Sequence, residues 1–176
     1  MKFFEKKIKS QTVYSGKVVT LEVDDVLLPN GKCSVRECVR HSGGAAVLLV
    51  KDGKVLLVKQ FRYPYDKEIY EIPAGKLNRG EDPLNAAERE LEEETGFRAK
   101  LVHLLDVYPS PGYTDEIIHI YFANDICNGT QHPDEDEFIS HEFVDFAEVV
   151  KMIERGEICD SKTVAAVYKY KSDKNL

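Results

Sequence analysis

Two apolar runs, Ala45–Lys51 and Lys54–Phe61, stand on either side of Asp52-Gly53. An Asp-Gly pair suits the tight hairpin turn in which both central residues take positive φ. Both runs are almost wholly apolar, and a strand that is apolar on both sides must be covered on both sides. The hairpin is therefore predicted at the centre of a sheet with layers packed above and below it, which excludes a sheet with one open face. The remaining patterns supply those layers. Val18–Leu28 alternates apolar and polar residues, Pro29-Asn30-Gly31-Lys32 is a turn, and Cys33–Arg40 reads as the returning strand. Gly43-Gly44 marks a junction between a small β-rich unit over 1–42 and a main domain over 43–176.

Downstream, Asp82-Pro83 reads as a helix N-cap followed by proline in the first turn, and Gly96 as the terminating residue. Leu84, Ala87 and Leu91 give that helix one core-facing stripe. Leu101–Tyr108 and Ile117–Ala123 are predicted strands, and Ala147–Arg155 and Ser161–Tyr170 predicted helices. The expectation is an α/β fold with a mixed sheet.

Composition narrows the class. A chain of 176 residues with 43% hydrophobic content can bury one ordinary core. Its net charge of −7 offers no basic stripe for a nucleic-acid polymer. The longest apolar run, Ala45–Val50, is far too short to span a membrane, so no membrane partner is expected. MKFFEKKIKS lacks the apolar stretch and cleavage site of a signal peptide. Cys33, Cys38, Cys127 and Cys159 form no CxxC pair, which suits reduced cysteines in a cytoplasmic protein.

The chemistry is concentrated in Gly75–Phe97, GKLNRGEDPLNAAERELEEETGF, where glutamates 88, 90, 92, 93 and 94 surround Arg89. Like charges at i,i+4 destabilise a helix, so this much carboxylate needs a compensating cation. On a helix Glu90 lies beside both Glu93 and Glu94, and their carboxylates converge next to the core stripe. Oxygen-only ligands of this kind favour hard cations such as Mg²⁺. From the helix alone, a solvated acidic face is the alternative, and Glu88 and Glu92 are expected to face solvent.

Gly75, Glu81, Arg89-Glu90-Leu91, Glu93-Glu94 and Gly96 match the Nudix box, G-x5-E-x7-R-E-U-x-E-E-x-G-U, in order and spacing. Only Phe97 departs, standing where an aliphatic residue is usual. On these positions the chain resembles the Nudix hydrolases. The resemblance implies an α/β/α sandwich with a mixed sheet and hydrolysis of a nucleoside diphosphate linked to another moiety. It implies Glu90 and Glu94 as metal ligands with the Ala74 carbonyl, Glu93 close by with a catalytic role, and Mg²⁺ (or Mn²⁺) as the cofactor. Glu81 and Arg89 would form an ion pair that orients the loop, and Gly75 and Gly96 would serve the turns at either end.

Ser110-Pro111-Gly112 followed by Glu116 is similar to the ADP-ribose pyrophosphatase subfamily, as are Gln60-Phe61-Arg62 and Glu71-Ile72-Pro73-Ala74-Gly75. That resemblance implies a nucleotide-sugar substrate, ADP-ribose or a related ADP-sugar, cut to AMP and a sugar phosphate. It makes Arg36, Arg62 and Glu116 substrate-binding candidates, with Tyr14 and Tyr63 as possible base stackers. Within Asp134-Glu135-Asp136-Glu137 it assigns a catalytic base, for which Glu135 fits best, and a further metal ligand, Glu137; the register of the run leaves that order open. It also implies a homodimer paired through the N-terminal unit. A GDP-mannose or other nucleotide-sugar diphosphatase remains the alternative, and a non-catalytic nucleotide-sugar binding module a minor one.

Overall fold

A computed structural model of the chain describes residues 3–132 and 138–176. The chain divides into two compact units, one running to Gly43 and taking in Tyr108–Glu116, the other built from Gly44–Val107 and Ile117–Leu176.

The first unit is a three-stranded antiparallel sheet of β1 (Lys6–Ser15), β2 (Thr20–Leu27) and β3 (Cys33–Arg40), in that order. The turn between β2 and β3 closes through Gly31, at φ +80°, whose N–H donates to the Leu28 carbonyl at 2.9 Å. β1 was not among the predicted strands. Every one of its residues is exposed, so no buried alternate face imprints a period of two on KKIKSQTVYS. It is an edge strand carrying Lys6, Lys7 and Lys9 and two register shifts, features that discourage further strand pairing. The Tyr108–Glu116 segment extends the unit: Thr114 bridges to Val39, and the Val39 N–H donates to the Tyr113 carbonyl at 2.7 Å. Arg40 ties the two together, reaching Asp115 at 3.1 Å and Glu22 at 2.9 Å.

The second unit contains the predicted hairpin, β4 (Gly44–Lys51) and β5 (Lys54–Arg62), turning at Asp52 and Gly53 with φ of +50° and +74°. It continues through β6 (Lys67–Glu71), β7 (Ala74–Lys76), α1 (Pro83–Thr95), β8 (Phe97–Val107), β9 (Ile118–Asn128), β10 (Ile139–Asp145), α2 (Phe146–Glu154) and α3 (Ser161–Lys174). The sheet runs β10-β5-β4-β9-β8; β4 and β9 are parallel and the other pairs antiparallel, so it is mixed.

Both sides of the hairpin are covered, as its apolar runs require. Ala46, Leu48, Val55 and Leu57 join Val149, Val150, Ala166 and Val167 of α2 and α3 in one core. Ala45, Val47, Leu49 and Leu56 join Ala86, Ala87 and Leu91 of α1 in another. This is an α/β/α sandwich. Leu48, Leu49, Leu56 and Leu57 are wholly buried, and each such side chain contributes roughly 1.5–3 kcal/mol of hydrophobic stabilisation.

One irregularity of the sheet positions everything that follows. β4 and β5 pair only next to their turn, Val50 with Val55 and Lys51 with Lys54. Beyond that they part, and β6 pairs with β5 while β7 pairs with β4. Glu71–Gly75 therefore crosses a split in the sheet and arrives beside α1.

Candidate active site

Asp82 caps α1, its carboxylate accepting from the Leu84 N–H at 2.9 Å, with Pro83 opening the first turn. Gly96 ends the helix at φ +71°, where its N–H donates to the Glu92 carbonyl at 2.8 Å. Between these ends the helix buries Ala86, Ala87, Leu91 and also Glu90 and Glu94. Glu90 is 8% exposed and Glu94 only 1%, a placement that carboxylates take only when held by donors or cations.

The β7 strand lies against them. The Ala74 N–H donates to Glu94 Oε2 at 3.0 Å. Gly75 faces Glu90 so closely that a Cβ there would stand 2.0 Å from the carboxyl carbon. Arg89 gathers the other acids: Nε and Nη2 grip Glu81 at 3.0 and 3.1 Å, and Nη1 reaches Glu90 at 2.7 Å and Glu93 at 2.8 Å. Glu81 also accepts from the Asn78 N–H at 2.8 Å, so this pair closes the loop before α1. The hydrogen bond from Arg89 holds the Glu81 carboxyl below the usual carboxylate range, and the guanidinium proton is held more tightly in return.

Not all acids of the run behave as expected. Glu88 is exposed, but Glu92 is not simply solvent-facing: it accepts from Arg98 at 2.7 Å. Its charge has a local cation across the turn to β8, so it packs instead of extending into water. The segment after β9 is held at the C-terminal end of α1, where the Gln131 side chain donates to the Glu94 carbonyl at 2.7 Å and the His132 N–H to the Glu93 carbonyl at 3.1 Å. Glu135 and Glu137 lie outside the described residues.

The remaining candidates divide between the units. Arg62, in the second, sets Nε and Nη2 on the two oxygens of Glu71 at 2.6 and 2.8 Å. Burial pushes the Glu71 carboxyl up, but the hydrogen bonds from Arg62 and the charge of Lys162 outweigh it, and the group stays below its ordinary range. Arg36, in the first unit, forks Glu5 at 2.9 and 2.7 Å and turns Nη1 to Ser34 and the Val35 carbonyl, so all three of its nitrogens are engaged. Glu116 stands 3.5 Å from His41 Nδ1. Tyr14 and Tyr63 are both exposed.

Sequence reading missed the buried cluster behind Arg62. Glu71, Lys162 and Thr163 are each at least nine-tenths buried, and Lys162 donates to both Glu71 and Asp160. The available signal was Asp160-Ser161 preceding a helical run, an N-cap pattern.

The donor set near Gly75 suits a divalent cation. It is made of oxygen alone, three of its carboxylates hydrogen-bond to Arg89, and Gly75 sets backbone without a side chain against Glu90. Among the described residues no three Asp, Glu, His or Cys groups form a ready cage. Mg²⁺ does not need one, since it is typically bound through one or two carboxylates, waters and substrate phosphates.

A family model described as NUDIX domain matches residues 39–167. The chain belongs to the Nudix family. It is 48% identical to an ADP-ribose pyrophosphatase of Bacillus subtilis (strain 168), over 93% of this chain and 90% of the relative. It is 47% identical to a methanol dehydrogenase activator of Bacillus methanolicus, over 94% of this chain and 91% of the relative. Among solved structures, an ADP compounds hydrolase superposes with a TM-score of 0.84, covering 96% of this chain and 92% of that one; at 22% identity the likeness is one of fold. Nudix hydrolases generally work with divalent cations. Among the described residues no helix is long and apolar enough to cross a membrane.

Proposed function

We propose that this Nudix hydrolase cleaves the diphosphate of ADP-ribose, or a related ADP-sugar, to AMP and a sugar phosphate, with Mg²⁺ as its cation. The observation that carries the reading is the pair of buried carboxylates, Glu90 and Glu94, set against Gly75 and Ala74 on an oxygen-only face. The choice of ADP-ribose rests on the name of the relative at 48% identity. Glu90, Glu94 and the Ala74 carbonyl would hold the metal, with Mn²⁺ as a substitute. Bound there, the cation supplies neutralisation of the diphosphate and a more acidic water.

The chain's own residues do the rest. The Glu81–Arg89 pair fixes the loop and, through Nη1 of Arg89, the directions of Glu90 and Glu93. Glu93, near the metal carboxylates, has the catalytic role nearest the reacting water. Glu135 is assigned as base and Glu137 as a further ligand. Arg62 commits Nε and Nη2 to Glu71, which keeps the planar guanidinium fixed and makes Nη1 the group that meets a phosphate oxygen. Arg36 must leave Glu5 to do the same, so Arg62 is the better placed of the two. Glu116 is assigned to the substrate ribose.

The protein is read as a cytoplasmic homodimer joined through its N-terminal unit, where Ile8, Val13, Tyr14 and Val35 are more than half exposed. Sedimentation at micromolar concentration checks the dimer, and a monomer would contradict it. A second reading is carried by the 47% identity to the methanol dehydrogenase activator: the chain would act on a dehydrogenase. Two assays separate the readings: turnover of a panel of ADP-ribose, ADP-glucose, GDP-mannose, NADH and diadenosine polyphosphates with Mg²⁺, and stimulation of a methanol dehydrogenase. Turnover of ADP-ribose above the others supports the first; stimulation of a methanol dehydrogenase without turnover of any member supports the second.

A further inference from the structure

Glu71–Gly75 spans the split between β4 and β5, and its residues are held one by one by different elements. Glu71 is gripped by Arg62 of β5 and Lys162 of α3. The Ile72 N–H falls between the β5–β6 and β4–β7 ladders and so has no strand partner in either register. It donates instead to Thr163 Oγ1 at 2.9 Å, inside the protein, where both residues are wholly buried. The Pro73 carbonyl accepts from the Val47 N–H of β4 at 2.9 Å. Ala74 donates to Glu94 of α1 at 3.0 Å, and Gly75 abuts Glu90.

Thr163 is itself oriented. Its hydroxyl donates to Asp160 Oδ2 at 2.6 Å, and its N–H donates to the same oxygen at 3.0 Å. Lys162 holds the other oxygen of Asp160 at 3.0 Å. A hydroxyl whose proton is committed to a carboxylate presents its lone pairs to Ile72, so the acceptor direction is fixed. α3 packs in the core on one face of the sheet and α1 in the core on the other. The split segment touches both layers, through Thr163 of α3 at Ile72 and Glu94 of α1 at Ala74.

We propose that Thr163, oriented by Asp160, is a positioning residue of the active site: its hydroxyl anchors Ile72 and thereby sets Ala74 and Gly75 against Glu94 and Glu90 from the opposite side of the sheet. The inference rests on the reading of that glutamate face as the hydrolytic centre. Removing the hydroxyl leaves a buried N–H without an acceptor, and the segment relieves it by moving. A displacement of about 1 Å at a metal-binding face costs turnover more than substrate affinity.

The test compares the full-length wild type, Thr163→Val and Thr163→Ser by steady-state kinetics on ADP-ribose with Mg²⁺ and by hydrogen–deuterium exchange of the peptide spanning 71–76. Thr163→Val is expected to lower kcat by about tenfold to a hundredfold with KM within about twofold, and to speed exchange in that peptide. Thr163→Ser, which keeps the hydroxyl, is expected to restore both. Wild-type kcat and exchange in Thr163→Val would overturn the proposal, as would equal impairment of the Val and Ser variants, which would assign the effect to the lost methyl. If Thr163→Val does not fold, Asp160→Asn replaces it, since asparagine still caps a helix but loosens the hydroxyl; unchanged kcat and exchange there would overturn the proposal. A wild type inactive on ADP-ribose would defeat the functional reading, and the exchange comparison would still decide the anchoring.

Discussion

A methyl group on Gly75 would stand 2.0 Å from the Glu90 carboxyl carbon, while the Gly75 backbone is held in register with Ala45 of β4. The atoms met are the end of a side chain, so the carboxylate gives way and the strand stays. Gly75→Ala is therefore expected to lower kcat by about a hundredfold while unfolding free energy changes by under about 1 kcal/mol, checked by kinetics and urea denaturation. Glu71 presents the reverse case, a buried acid whose partners are Arg62 and Lys162. Glu71→Gln leaves two cations short of charge and is expected to cost about 3 kcal/mol near neutral pH. The sign of its pH dependence follows from its lowered folded pKa. The stabilisation is complete above the ordinary carboxylate value of about 4.5 and is lost as pH falls through the lower folded value. The gap between wild type and Glu71→Gln in denaturant titrations should accordingly narrow on acidification, and a gap that widened would contradict the assignment.

At the scale of elements, α1 owes its start to one residue. Asp82→Ala is expected to destabilise the protein by about 1 kcal/mol, measured as a shift in the urea midpoint with unchanged slope. That helix was legible in the sequence because cap, stripe and terminator agree: Asp82-Pro83 opens it, Leu91 and its neighbours turn inward, and Gly96 takes positive φ. The β4–β5 hairpin was legible for the same reason, its Asp52-Gly53 turn matching two apolar strands. Elements without a buried alternating face left no such trace. β1 is exposed throughout, β6 and β7 are short pieces completing a split, and β10 is an end strand whose inward face is only partly buried. Spacing along α1 predicted which carboxylates share a face, because helical geometry is local. It could not predict that Arg98 would draw in Glu92, which depends on how the chain turns from α1 into β8, or that Thr163 would meet Ile72, which depends on how distant elements pack.

Across the second unit, the fold uses one defect for its chemistry. A sheet with β4 and β5 fully paired would satisfy every backbone group and leave no loop beside α1. Their divergence admits Glu71–Gly75, whose donors are then satisfied by side chains from both helical layers. Glu90 and Glu94 thus sit buried where the chain's own backbone meets them, Glu90 against Gly75 and Arg89 and Glu94 on the Ala74 N–H. That arrangement makes the central claim testable with one isosteric change. Glu94→Gln keeps an acceptor for the Ala74 N–H and removes the charge. AMP release from ADP-ribose with Mg²⁺, measured for wild type and Glu94→Gln alongside thermal unfolding, should show turnover in the wild type, a loss of at least about a hundredfold in the variant, and matching unfolding midpoints. Equal turnover by the two folded proteins would contradict the account.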